Sequence, residues 1–284
     1  QFTEGVHAGE VARHLGTDHT ELYVTPEQAQ AVIPRLPALY DEPFADSSQI
    51  PTFLVSQLAR QHVTVSMSGD AGDELFGGYN RYAWTRKVLA IPAPLRRVAG
   101  AGLAALSPAR WDRLYAALQP VLPASLQFRM PGHKAQKLAD LLNVRSDALL
   151  YERLISLWPN PNDLVIGGED ATDTKRAWDR LGDFTSMEAR MMALDTLGYL
   201  PDDILCKVDR AAMGVSLETR VPFLDHRVVE FAWQLPLHMK IRHGQGKWIL
   251  RQLLYKYVPK ALGDWPKMGV AVPIDAWLRG PLRE

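Results

Sequence analysis

Residues 63–79, VTVSMSGDAGDELFGGY, decide how the rest of the chain is read. Val63, Val65 and Met67 alternate as a short β-strand, and Ser68-Gly69 opens a turn directly behind it. Three acids follow at Asp70, Asp73 and Glu74, and Gly77-Gly78 closes the segment. Upstream, Val6 to Leu15 carries apolar residues at helical spacing and Gly16 suits its stop. Residues 21–25 read as a strand-like run, 26–36 as a helix with Pro in its first turn, and 50–60 as a further helix. This αβαβ order implies a parallel sheet covered by helices, with the remaining strands expected before residue 1. Ligands of such sheets bind beyond the carboxyl ends of the strands, where this turn lies, and its backbone N–H groups suit a phosphate or a ribose. Carboxylates beside phosphates repel them unless a divalent cation intervenes, which makes Asp73 and Glu74 candidate Mg²⁺ ligands. Acids in the first turn of a helix also favour its dipole. The residues alone leave both readings open.

Beyond Tyr82 the strand signal fades. Residues 89–126 are apolar and punctuated by Pro92, Pro108 and Pro120, which predicts short broken helices. Residues 159–173 are polar and turn-rich, and are expected to form a surface loop. Met187, Met191, Leu194 and Leu197 share one helical face, as do Ile249, Leu253, Leu254 and Tyr257, and both stripes are expected in the core. Gly244-Gln245-Gly246-Lys247 lacks the spacing and the Ser/Thr of a phosphate loop and reads as a turn.

The 284 residues contain 32 basic and 32 acidic side chains, so no net field steers the chain toward nucleic acid or an anionic membrane, although a local patch stays possible. There is no basic stripe with interleaved aromatics to suggest a nucleic-acid partner. No apolar run approaches a membrane span. The single Cys206 excludes an intrachain disulfide and points to a reducing compartment, so a cytoplasmic location is expected. The eight histidines show no metal-ligand spacing. The opening QFTEGVHAGE has no signal-peptide features and reads as the middle of a longer chain.

Four blocks carry a family resemblance. Residues 68–79, SGDAGDELFGGY, resemble the signature SG-x-G-x-DE-x-FGGY of the asparagine synthetases, with Ala71 where the family usually has Gly. Asp209-Arg210, Met213 and then Glu218-Thr219-Arg220-Val221-Pro222-Phe223-Leu224-Asp225 are similar to its D-R-x-x-M and E-x-R-x-PFLD pair. Residues 41–48, DEPFADSS, resemble its DEP-x-x-D-x-S stretch. Residues 265–274 resemble its R-x-K-x-GF-x-x-P segment, with Trp265 for the Arg and Val270 for the Phe.

The resemblance covers the whole chain and implies an ATP pyrophosphatase-like α/β fold. Residues 1–80 would belong to the nucleotide-binding core, and 81–284 would form a mainly helical portion closing the site. It implies adenylation of the aspartate side-chain carboxylate by ATP with Mg²⁺, and attack of ammonia from glutamine on the β-aspartyl-AMP. By the same resemblance Ser68 and Gly69 contact the nucleotide, Asp73 binds Mg²⁺ and Glu74 is a metal or supporting partner. Asp70 supports intermediate formation and can take a proton, and Lys267 neutralises the α-phosphate. Asp209, Arg210, Glu218 and Arg220 either shape the aspartate pocket or form a buried ion-pair network beneath it. The family's SGG-x-DS loop is not in the 284 residues and is expected upstream with a glutaminase domain, so the segment alone is expected to be inactive. A homodimer is a further possibility. Related readings are an amidotransferase acting on another carboxylate, and a cyclising ligase of the β-lactam synthetase type, which tends to carry Tyr where Asp70 stands. A non-catalytic remnant is permitted by Ala71, Trp265 and Val270.

Overall fold

The computed structural model describes residues 4–119, 131–156, 158, 167, 173–264 and 272–283. The chain divides into two compact units, one of Gln1–Gly78 with Asp195–Glu284 and one of Tyr79–Leu194. Residues 195–284 therefore return to the unit that holds the acidic turn.

That unit begins with α1 (Glu4–Leu15), α2 (Pro26–Gln30), α3 (Leu36–Tyr40), α4 (Gln49–Arg60), β1 (Val65–Met67) and α5 (Gly72–Phe76). Residues 26–36 were expected to form one helix. Pro34 and Pro37 instead break it into α2, a 3₁₀ turn at Ile33–Arg35 and α3. Thr25 caps α2 through a reciprocal bond with Gln28. The run 21–25 is not a strand, for nothing among the described residues pairs with it.

The second unit contains α6 (Asn80–Leu89), α7 (Ala93–Ala104), α8 (Pro108–Leu118), α9 (Pro131–Leu142), α10 (Asp147–Ile155), α11 (Asp173–Arg180) and α12 (Met187–Leu194). Pro92 and Pro108 start helices as expected, whereas Pro120 and most of 159–173 lie outside the described residues. Leu141, Val144 and Leu150 centre its core.

The chain then re-enters the first unit through a π-helix, Asp195–Leu205, and continues as α13 (Cys206–Met213), β2 (Glu218–Arg220), α14 (His226–Gln234), α15 (Leu237–Lys240), α16 (Trp248–Leu254), α17 (Lys260–Gly263) and α18 (Ile274–Arg279). The wider winding carries Pro201 and shifts the register. Met191 and Leu194 are buried as expected, but Leu197 is 61% exposed. The stripe on α16 also departs from expectation, with Leu253, Leu254 and Tyr257 exposed. Of that stripe Ile249 packs against the core as expected, beside Leu250.

Mostly helical α/β describes the result, with a sheet of two strands among the described residues. β1 and β2 pair in parallel, Val65 opposite Glu218 and Met67 opposite Arg220. β2 had no apolar alternation to announce it. Its register comes from backbone bonds, Glu218 N–H to the Thr64 carbonyl and Ser68 N–H to the Arg220 carbonyl, both 2.9 Å. α13 packs on α4 around Phe53, Ile50 and Ala211. No described helix is long and apolar enough to cross a membrane.

Lys240, at the end of α15, is buried with its amine 4.6 Å above the Trp233 ring, and burial pushes its pKa down to about 8. The folded state thus disfavours the ammonium. This cost is fully present below pH 8 and fades as pH rises toward the ordinary lysine value. Lys240→Met is expected to raise stability at pH 7 by roughly 1–2 kcal/mol, net of the lost cation–π contact. It should also flatten the rise in stability above pH 8. Urea denaturation at pH 7 and pH 10 checks both, and a less stable variant at pH 7 would count against the assignment.

Candidate active site

Immediately past β1 the chain makes the predicted turn. Ser68 extends the ladder by one backbone bond, and its hydroxyl donates to Asp70 Oδ2 at 2.7 Å. That bond holds one oxygen of the Asp70 carboxylate in place. Ala71 then takes φ 64°, ψ −11°, the left-handed region, as the residue before α5. Its methyl is buried with Leu75, Phe76, Leu200 and Ala232. The family's usual Gly has a reason here, since a left-handed backbone costs an L-residue about 1–2 kcal/mol.

Ala71→Gly would relieve that strain, but would lose roughly 0.8 kcal/mol of methyl burial and about 0.5–1 kcal/mol in unfolded-chain entropy. The two sides nearly cancel. Ala71→Gly is expected to leave stability within about 0.5 kcal/mol, while Ala211→Gly inside α13, equally buried and unstrained, should cost about 2 kcal/mol. Chemical denaturation of the two variants in parallel checks this, and equal losses would refute it.

α5 then divides the acids. Asp73 is partly exposed, its side chain at 20%, and its Oδ2 meets the Lys247 ammonium at 2.9 Å. Glu74 is 1% exposed and takes its interactions within the protein. A carboxylate enclosed in this way fits the supporting role better than that of a direct ligand. Among the described residues no three His, Cys, Asp or Glu side chains converge as a ready-made metal cage. One partly exposed carboxylate does suit Mg²⁺ held largely by phosphate oxygens and water, and Asp73 fits that donor set.

Lys247 is the residue that sequence reasoning missed. The turn 244–247 is indeed a turn, closed by the Arg242 and Gln245 backbone, but it docks on the acidic segment. Lys247 N–H donates to the Phe76 carbonyl at 2.9 Å, and Gly246 lies against Gly77 and Gly78. Lys247 itself has φ 55°, a second strained non-glycine residue at this site. A Cβ on Gly78 would overlap both the Asp73 carboxylate and the Lys247 side chain. Glycine there is demanded by close approach, a signal a sequence shows only as the GG pair.

A second cluster joins the 41–48 segment to α13. Lys207 Nζ is 2.6 Å from Asp46 Oδ2, and the Ser48 backbone N–H and hydroxyl also donate to Asp46. Burial would raise the Asp46 pKa, but the bonds from Lys207 and Ser48 prevail and hold it below the usual value. Asp203 faces the opposite balance. Burial and the neighbouring Asp46 charge raise its pKa, and its Oδ1 is buried without a hydrogen-bond partner.

The remaining expected residues are placed differently. Arg210 pairs with Asp41 at 2.6 Å and Arg220 with Glu218 at 2.8 Å, both in the open, and Asp209 is exposed. Among the described residues of this chain the four do not form a buried ion-pair network. Lys267, Trp265 and Val270 lie outside the described residues.

The family model described as asparagine synthase matches residues 1–284. The chain is 30% identical over 288 residues to asparagine synthetase [glutamine-hydrolyzing] 1 of Bacillus subtilis (strain 168), covering 100% of this chain and 42% of that protein. It is 33% identical over 279 residues to a putative asparagine synthetase [glutamine-hydrolyzing] of Mycobacterium tuberculosis (strain ATCC 25618 / H37Rv), covering 94% and 39% respectively. A putative asparagine synthetase [glutamine-hydrolyzing] 2 of Methanocaldococcus jannaschii is 45% identical over 69 residues, 24% of this chain. The chain thus spans about two-fifths of the length of the first two of these relatives.

Proposed function

The chain belongs to the asparagine synthase family, and from that premise we propose that it carries the synthetase site of an enzyme converting aspartate to asparagine. The observation that carries the reading is the turn beyond β1, with Asp70 fixed by Ser68 and Asp73 faced by Lys247. The aspartate side-chain carboxylate attacks the α-phosphorus of ATP, and pyrophosphate leaves. Ammonia released from glutamine by a glutaminase domain elsewhere in the full-length protein then attacks the acyl carbon, and AMP leaves.

Ser68 and Gly69 hold the nucleotide in this reading, and Asp70 takes the proton from the attacking nitrogen. Asp73 would hold Mg²⁺, which would supply positive charge to the phosphate oxygens. Glu74 supports α5 from beneath. Lys247 gives the same face a fixed cation, and Lys267 is assigned to the α-phosphate. Asp209, Arg210, Glu218 and Arg220 are assigned to the aspartate pocket, a reading supported by paired charges that are exposed and available to a zwitterion. Further strands are expected to complete the sheet from the rest of the protein.

The test is ATP–pyrophosphate exchange by the full-length protein with Mg²⁺. Exchange should require aspartate, and Asp73→Asn should lower it by roughly 10²–10³-fold. Exchange driven equally by unrelated carboxylates, or unchanged in Asp73→Asn, would overturn the assignment.

A further inference from the structure

The balanced total charge conceals a sharp segregation. Residues 75–146 contain eleven Lys or Arg and two acids, Asp112 and Asp140, leaving the rest of the chain with an acidic excess. Past residue 78 the segment lies in the second unit and holds α6 to α9. Arg86, Arg97, Arg110, Arg113 and Lys137 are exposed, and none makes an ion pair among the described residues. Asp112 is occupied, accepting the Gly132 N–H at 2.9 Å.

Apolar side chains stand among these cations. α7 and α8 both pack on α9, and the Trp111 indole N–H ties α8 to the Leu103 carbonyl of α7. The exposed residues of the two helices include Leu95 (61%) and Val98 (72%) on α7, and Arg110, Arg113 and Leu114 on α8. Helices with aliphatic residues between arginines that make no ion pair among the described residues match what an interfacial element presents to a bilayer.

We propose that the outward face of α7 and α8 docks on an anionic lipid surface, its arginines against the headgroups and its aliphatic residues at the acyl boundary. A nucleic acid would satisfy the arginines equally, but it gives Leu95, Val98 and Leu114 nothing to bury against, and among the described residues neither α7 nor α8 shows a fully exposed aromatic ring for a base to stack on. This surface is independent of the synthetase reading, since it uses no residue of that site.

Sedimentation of the full-length protein with phosphatidylcholine vesicles, with and without about 30% phosphatidylglycerol, tests the idea, the lipid ratio being chosen to give a strong surface potential. Binding is expected only to the anionic vesicles, weakening in high salt as screening shortens. Each of Arg97→Gln, Arg110→Gln and Arg113→Gln should lower vesicle partition about fivefold. Val98→Glu should do so with circular dichroism unchanged. Failure to sediment with anionic vesicles overturns the proposal. So does partition unaffected by these substitutions, or a duplex oligonucleotide that binds and displaces the vesicles.

Discussion

Gly246→Ala is expected to destabilise the first unit by roughly 3 kcal/mol and to pull the Lys247 ammonium off Asp73. The new methyl would fall inside contact distance of the Gly77 carbonyl oxygen and near the Gly78 Cα, and backbone cannot rotate out of the way as a side chain can. Relief requires the 244–247 turn to back away, which breaks the Lys247 N–H bond to Phe76 and lengthens the 2.9 Å ion pair. Gly244 supplies the control. Its φ is +78° but the space around its Cβ is open, so Gly244→Ala should cost only about 1 kcal/mol of backbone strain. Urea denaturation separates the two, and exchange activity should fall far more in Gly246→Ala. If both variants were equally stable, the close approach of the turn to the acidic segment would be wrong.

Lys207→Met should be the most damaging single change at the second cluster, at about 3–4 kcal/mol near neutral pH. Lys207 is only 11% exposed and is the cation that keeps Asp46 and the neighbouring Asp203 tolerable together. Without it two half-buried carboxylates face each other. The pH dependence follows from the two shifts. Asp46 is held below its ordinary value, so its contribution is present above that value and is lost as pH falls through the folded one. Asp203 is raised, so its contribution is favourable in acid and is lost as pH rises through its folded value. Removing Lys207 takes away the cause that lowers both, and the deficit should shrink on acidification as one carboxyl protonates. Adding Asp203→Asn should restore most of the lost stability at pH 7. Denaturation of the single and double variants at pH 7 and pH 5 gives the answer, and a deficit independent of pH and of Asp203 would rule this account out.

Much of the candidate site was legible because the turn chemistry is local. Ser68-Gly69 after an alternating run, acids behind it and a closing Gly pair are spaced by a few residues, and short-range sterics enforce the shape. Family membership was legible for a similar reason, since blocks 41–48, 68–79 and 209–225 keep their order and spacing. Lys247 was not legible. It stands more than 170 positions from Asp73, and its approach depends on a turn with no phosphate-loop pattern. β2 escaped for the same cause, because ETR has no intrinsic alternation and becomes a strand only through its bonds to Thr64 and Ser68. The exposed stripe on α16 and Leu197 show the reverse error. Periodicity identifies a helical face, but which face is covered depends on what packs against it.

By itself the sequence determined the strand–turn–helix around Ser68 and the proline-delimited helices, since φ restriction, capping and alternation act over a few bonds. The three-dimensional packing alone decided that Glu74 turns inward while Asp73 stays partly exposed, that Lys247 answers Asp73, and that Lys207 lies between Asp46 and the π-helix. Burial and charge pairing are properties of neighbours brought together from distant parts of the chain, and no local rule encodes them.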